Sequence, residues 1–123
     1  MKARFAHFCS CIYDKEKTIK FYEEALGMHQ DGEMTHPDGI WTKYMMKNDA
    51  SEVLMELTYK PGFEGEFENC GKDAHIAFYV EDFQAFYKLH KEMGIIVLDA
   101  AEKFGVYFIT DPEGTWIEIM PEG

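Results

Sequence analysis

The fold is decided by the stretch Asp73-Ala-His-Ile-Ala-Phe-Tyr-Val-Glu-Asp82, because an earlier stretch, Ala6-His-Phe-Cys-Ser-Cys-Ile-Tyr-Asp14, repeats its plan. In both stretches a His opens a short apolar run, and an Asp follows seven residues after that His. A helical pattern with a Phe-Tyr pair comes next and ends at a Gly. The sequence therefore predicts an internal repeat, in which each half begins with a strand and a helix.

Two glutamates extend the repeat toward the end of each half. Glu56 and Glu118 each follow an Asp by seven residues, and apolar residues flank both. Their segments alternate between apolar and other residues, which is typical of strands. Each half is therefore predicted to contain one His in its first strand and one Glu in its last, with His7 in the first half and His75 in the second.

The predicted element order of each half is a strand, a helix and three further strands. This pattern makes the fold class α+β, with two βαβββ modules. Asp14 and Asp82 are predicted helix N-caps, and Gly27 and Gly94 are predicted C-terminal stops. The predicted strands lie at 4–12, 28–35, 40–47, 52–60, 74–80, 95–99, 104–110 and 115–120.

The chain length of 123 residues suits one domain with its own apolar core. We predict a single domain, 1–123, made of two modules at about 1–60 and 73–123. The intervening segment 61–72 contains three glycines and no clear periodicity, which is typical of a linker. Its Glu and Phe residues leave open a second role at the edge of a binding site.

Composition argues against several kinds of partner. The formal net charge of -11 opposes non-specific binding to nucleic acid and to anionic membranes. Three cysteines without a Cys-x-x-Cys pair indicate neither a disulfide framework nor a thiolate zinc site. No apolar run has the length of a membrane span or the form of a signal peptide, so we expect a cytoplasmic location.

The repeated His and Glu residues suggest a metal site. A single strand Glu usually lies on a solvated face, and a single strand His usually has a structural role. Because both recur in equivalent places, the two halves are predicted to bring His7, Glu56, His75 and Glu118 together at a pseudo-twofold axis. Two imidazoles and two carboxylates suit a divalent metal ion, and an octahedral shell would leave two positions for water. The alternative, in which the two halves never bring these side chains together, stays open.

Several motifs match a known family over essentially the whole chain. They are His7, Phe21-Tyr22, Leu26-Gly27-Met28, Glu56-Leu-Thr-Tyr59, His75-Ile-Ala77, and Asp111-Pro-Glu-Gly114 with Glu118 beyond it. With these motifs the chain resembles glyoxalase I (lactoylglutathione lyase) of the vicinal oxygen chelate superfamily, which has the glyoxalase/bleomycin-resistance-like fold. The resemblance implies a metal site with the four ligands named above, and nickel or cobalt as the metal, with zinc as an alternative. It also implies a homodimer, in which His7 and Glu56 of one subunit meet the other two ligands of its partner.

The resemblance implies a reaction as well. The hemithioacetal of methylglyoxal and a thiol is isomerised to a lactoyl thioester through an enediolate. A metal ion stabilises that enediolate, and a carboxylate carries the proton between adjacent carbons. By resemblance the base is Glu118, and Glu56 is a ligand and a second candidate base.

Two positions depart from the glutathione-using members that the chain resembles. Cys11 stands where these members often have an Arg, and Lys60 stands where they often have an Asn. An Arg at this position can bind a carboxylate through two hydrogen bonds, so a Cys in its place is not a conservative change. The identity of the thiol is therefore open between glutathione and another small thiol. Lys60 and Lys103 are other candidate cations for contacting the thiol substrate.

Other activities on the same scaffold remain as alternatives. An acyl-CoA epimerase uses similar proton transfer, but a Glu at position 56 argues against it. A ring-cleaving dioxygenase needs only two His and one Glu, and such enzymes are usually longer chains. A non-catalytic, antibiotic-sequestering module generally lacks the metal ligands that this sequence contains.

Overall fold

Two units make up this chain in the computed structural model, Met1–Glu68 and Asn69–Gly123. The residues described are 1–2, 5–51, 54–69 and 73–122, without the side chain at position 54. Each unit contains a four-stranded sheet of mixed strand direction with a helix between its first two strands. The predicted α+β class with its repeated strand-helix-three-strand order is confirmed.

The first unit has one long helix and four strands. Its elements are β1 (His7–Ile12), α1 (Lys15–Leu26), β2 (His29–Thr35), β3 (Thr42–Lys47) and β4 (Leu54–Tyr59). The strand order is β1-β4-β3-β2. β1 runs parallel to β4, whereas the other neighbours are antiparallel. The first and last strands of the unit therefore lie side by side.

The second unit repeats this arrangement with one additional short helix. Its elements are β5 (Ile76–Val80), α2 (Phe83–Met93), β6 (Ile96–Ala100), α3 (Ala101–Phe104), β7 (Val106–Thr110) and β8 (Trp116–Pro121). The strand order is β5-β8-β7-β6, and β5 runs parallel to β8. The topology of the two sheets is thus the same.

The helix ends follow the predicted capping residues. The side chains of Asp14 and Asp82 each accept a hydrogen bond from the backbone N–H three residues further on, at 3.0 and 3.1 Å. Such a bond satisfies one of the N–H groups that a helix start leaves without a partner. Gly27 and Gly94 have φ of 62° and 70°, the left-handed conformation that ends a helix at least cost with glycine.

The predicted strand 104–110 was wrong at its start. Phe104 is the last residue of α3, and β7 begins at Val106. The carboxylate of Asp99 accepts a hydrogen bond of 3.1 Å from the N–H of Ala101, the first residue of α3, and Gly105 (φ 73°) ends the helix. These local contacts favour a helical turn where the pattern predicts a strand.

Other predicted strand ends differ slightly from the observed ones. The strands predicted to start at 40 and 74 begin at Thr42 and Ile76. The first residue of predicted strand 4–12, the first two of 52–60, and the last three of segment 61–72 lie outside the described residues. No helix among the residues that the structure describes is long and apolar enough to cross a membrane.

Alternation along the strands separates a core face from a site face. On β4, Met55 and Leu57 are at most 2% exposed, and on β8 Ile117 and Ile119 are fully buried. Burying each such side chain contributes roughly 1.5–3 kcal/mol. Because successive side chains of a strand point to opposite faces, the residues between them lie on the other face of the sheet. Glu56 is one of these residues.

Candidate metal centre

A histidine and a glutamate face each other on the parallel strands β1 and β4. Cys9 is the register partner of Glu56, so His7 lies two residues earlier on the same face. The Nε2 atom of His7 contacts Oε2 of Glu56. One imidazole nitrogen and one carboxylate oxygen are thereby adjacent.

A lysine contacts the other oxygen of the same carboxylate. Nζ of Lys43, on β3, lies 3.5 Å from Oε1 of Glu56. The Glu56 side chain is only 9% exposed and that of Lys43 is 28% exposed. A carboxylate with so little access to water needs such partners, because burial without them is costly. Lys43 is not predicted from the sequence, because alternation gives the face of the strand on which it lies but not the strand beside it.

The second unit holds an equivalent pair. His75 directly precedes β5, and Ala77, two residues on, is the register partner of Glu118 on β8. Nε2 of His75 lies 3.4 Å from Oε1 of Glu118, and these side chains are 28% and 22% exposed. The offset between histidine and glutamate is therefore the same in both units.

The surroundings of this second pair are aromatic. The ring of Phe108, the residue that pairs with Glu118, meets the His75 ring edge to face at 4.8 Å. Phe108 also lies 5.8 Å from the ring of Trp116. Among residues 73–122 as described, no lysine or arginine forms an ion pair with Glu118.

The four predicted ligands thus form two contacts, one within each unit. Each contact contains one imidazole nitrogen and one carboxylate oxygen, the donor types of the predicted N₂O₂ set. Within the described part of the chain, no three His, Cys, Asp or Glu side chains cluster as a metal site. Either pair alone provides half of the predicted ligands. The meeting of all four stays a prediction.

Two cysteine thiols lie on the same face as the first pair. Sγ of Cys9 lies 3.1 Å from Oγ1 of Thr58. Burial, with a smaller contribution from Cys9, raises the pKa of the Cys11 thiol, although Lys60 and Lys43 act in the opposite direction. At a given pH, a smaller fraction of the Cys11 side chain is therefore thiolate than for an ordinary cysteine.

Lys60, one of the predicted alternative cations, lies over an aromatic cluster. The rings of Phe63 and Phe67 stack at 4.5 Å, and Nζ of Lys60 lies 5.6 and 5.8 Å from their centres. The hydroxyl of Tyr13 donates a hydrogen bond of 2.6 Å to a backbone carbonyl of this segment and accepts one of 3.2 Å from Phe67 N–H. The start of the predicted linker is thus part of the first unit, where it contacts Tyr13.

Further polar contacts of the second unit lie outside the His75 pair. The hydroxyl of Tyr87 donates a hydrogen bond of 2.6 Å to Asp99, which raises the pKa of the phenol and lowers that of the carboxyl group. The buried ring of His90 lies 2.9 Å from the hydroxyl of Tyr107. Lys103, the other predicted cation, lies on α3, 5.5 Å from a neighbouring phenyl ring. None of these contacts includes a predicted ligand.

Comparisons with known proteins show the family of this chain. A family model described as the Glyoxalase/Bleomycin resistance protein/Dioxygenase superfamily matches residues 4–119. The uncharacterized protein YwbC of Bacillus subtilis is 31% identical over 126 residues, which cover 98% of this chain and 98% of that protein. The lactoylglutathione lyase of Pseudomonas aeruginosa is 26% identical over 94% of this chain and 81% of its own length.

A solved structure is similar over nearly the whole chain. It is that of the trypanothione-dependent glyoxalase I of Leishmania major, with a TM-score of 0.79 and 28% sequence identity. The match covers 98% of this chain and 88% of that one. Sequence and fold thus point to the same group of proteins.

Proposed function

Because the chain belongs to the Glyoxalase/Bleomycin resistance protein/Dioxygenase superfamily, we propose that it is a glyoxalase I-type lyase. Its reaction would convert the hemithioacetal of methylglyoxal and a small thiol into a lactoyl thioester. The observation that carries this proposal is the His–Glu contact that recurs at the same register offset in both units. Similarity to a lactoylglutathione lyase and to a glyoxalase I supports it.

The residues proposed to hold the metal are His7, Glu56, His75 and Glu118. The ion is nickel or cobalt in our proposal, and zinc fits the same donors. When bound, a divalent metal stabilises the negative charge that develops on the two neighbouring oxygens of the substrate. We further propose a homodimer, in which the first two ligands come from one subunit and the other two from its partner.

The two glutamates have different proposed roles. Lys43 and His7 contact the two oxygens of Glu56, which favours a fixed ligand. The carboxylate of Glu118 contacts His75 at 3.4 Å and has no ammonium partner in the part of its unit that the structure describes. A general base must come within hydrogen-bond reach of the proton that it takes, and a carboxylate that no ammonium group holds can adjust to do so. This supports Glu118 as the group that carries the proton between adjacent carbons.

The thiol that forms the substrate is proposed as glutathione or another small thiol. Cys11 and Lys60 replace the residues expected for glutathione, and the Lys60 ammonium already lies over two phenyl rings. The odd cysteine count leads us to propose a reducing cytoplasmic location.

The test is an assay of thioester formation from methylglyoxal with nickel-loaded protein. Glutathione and other small thiols are compared in parallel, and chelated protein is the control. We expect metal-dependent thioester formation with at least one thiol and loss of activity after chelation. A protein that retains no divalent metal, or that forms no thioester with any thiol, would contradict the proposal.

A further inference from the structure

The ammonium group of Lys43 lies beside a proposed metal ligand, where its charge opposes a metal cation. Its Nζ is 3.5 Å from Oε1 of Glu56, whose Oε2 contacts His7. Both Lys43 and Glu56 have limited exposure, at 28% and 9% of their side chains. Charges that are partly removed from water interact more strongly and are less screened by salt. Lys43 therefore affects whatever binds to Glu56.

The scaffold itself does not require a lysine at this position. Lys43 lies two residues before Met45, which pairs with Glu56. The same place in the second unit is Val106, two residues before Phe108, which pairs with Glu118. A half-buried apolar side chain thus fits the same sheet position. The positive charge in the first unit needs an explanation other than the fold.

An aromatic ring holds the lysine in place. Nζ of Lys43 lies 5.2 Å from the ring centre of Trp41, a distance at which the ring attracts a cation. Trp41 in turn meets the ring of His36 edge to face at 5.4 Å. The ammonium group therefore lies between an indole ring and Oε1 of Glu56. This arrangement limits where the charge can move.

We propose that Lys43 is a positioning residue for the metal centre. Its ammonium holds Oε1 of Glu56, so that only Oε2, beside His7, is offered to the metal ion. Its charge also weakens the binding of the cation. The inference rests on the proposed function, because it requires Glu56 to be a ligand. It explains why Glu56 stays fixed while Glu118 is left to move the proton.

The experiment compares metal retention in nickel-loaded, full-length variants titrated with a chelator. The variants are Lys43→Met, Lys43→Gln and Lys43→Arg, with Lys47→Met as the control. Lys47 lies on the same strand but forms its ion pair with Asp31, at 3.1 Å. Removing the Lys43 charge is expected to raise the chelator concentration at which half of the nickel is released, by about three- to tenfold. The reason is that less positive charge then lies beside the metal ion. The Arg variant and the control should stay within about twofold of wild type.

The outcomes separate this inference from the proposed function. A structural role alone predicts weaker or unchanged metal binding in both neutral variants, and that result would overturn the inference while the lyase proposal stands. Wild-type protein without retained nickel would overturn both. Two neutral variants are used so that poor folding of one does not decide the result, and thermal melting of each checks the fold.

Discussion

The two units place a His–Glu pair at the same register but surround it differently. Beside the pair in the first unit are polar and charged side chains, whereas the matching positions of the second unit are mostly apolar. These positions are Cys9, Cys11 and Lys43 in the first unit and Ala77, Tyr79 and Val106 in the second. The backbone thus fixes where imidazole and carboxylate meet, and the neighbouring side chains decide which charges lie beside each carboxylate.

The largest expected effect concerns the two glutamates. Glu118→Gln should lower kcat about 10²- to 10⁴-fold, because an amide cannot accept the proton. Glu56→Gln should mainly weaken nickel retention, since that carboxylate is proposed as a fixed ligand. Thioester formation and chelator titration measure the two effects, with exposed Glu81→Gln as the control. If both variants lose rate and nickel to the same extent, the proposal that the two glutamates have different roles is wrong.

A lysine at the equivalent position of the second unit should restrict Glu118 as Lys43 is proposed to restrict Glu56. In Val106→Lys, the new ammonium is expected to hold the Glu118 carboxylate and slow thioester formation about tenfold. Val106→Met is the matched control, because it adds length without charge. The measurement is kcat of the nickel-loaded variants. Equal rates in both would show that a cation at this position does not restrict the base.

The smallest effect concerns the cysteines of the first unit. Because burial raises the pKa of the Cys11 thiol, a smaller fraction of it is thiolate at a given pH than for an ordinary cysteine. Iodoacetamide should therefore alkylate Cys11 more slowly than exposed Cys9 at pH 8. The alkylation rate of Cys11 should continue to increase to a higher pH than is usual for a cysteine. Tandem mass spectrometry of the labelled peptide distinguishes the two sites. Faster labelling of Cys11 would contradict this account.

Local sequence signals predicted the element order well. The N-caps Asp14 and Asp82 and the glycines at 27 and 94 act within one turn of a helix, so their effect can be inferred without tertiary structure. The alternation around Glu56 and Glu118 likewise gave the correct strands. Because the same pattern recurs in both halves, each half supports the prediction made for the other.

Other features depend on partners that are distant in sequence. Lys43 reaches Glu56 because β3 pairs with β4 in one particular register, which alternation does not specify. The turn of α3 depends on the side chain of Asp99 and on Gly105, within a segment whose pattern also suits a strand. The meeting of both His–Glu pairs in one metal site stays a prediction.

The parallel pairing of β1 with β4 has a consequence for biosynthesis. His7 leaves the ribosome 49 residues before Glu56, and the antiparallel strands β2 and β3 are made between them. A nascent chain that ends before β4 has neither the last strand of the first sheet nor the carboxylate beside His7. Contacts between residues so far apart in sequence form slowly. The first proposed pair of metal ligands therefore arises only once its sheet is complete.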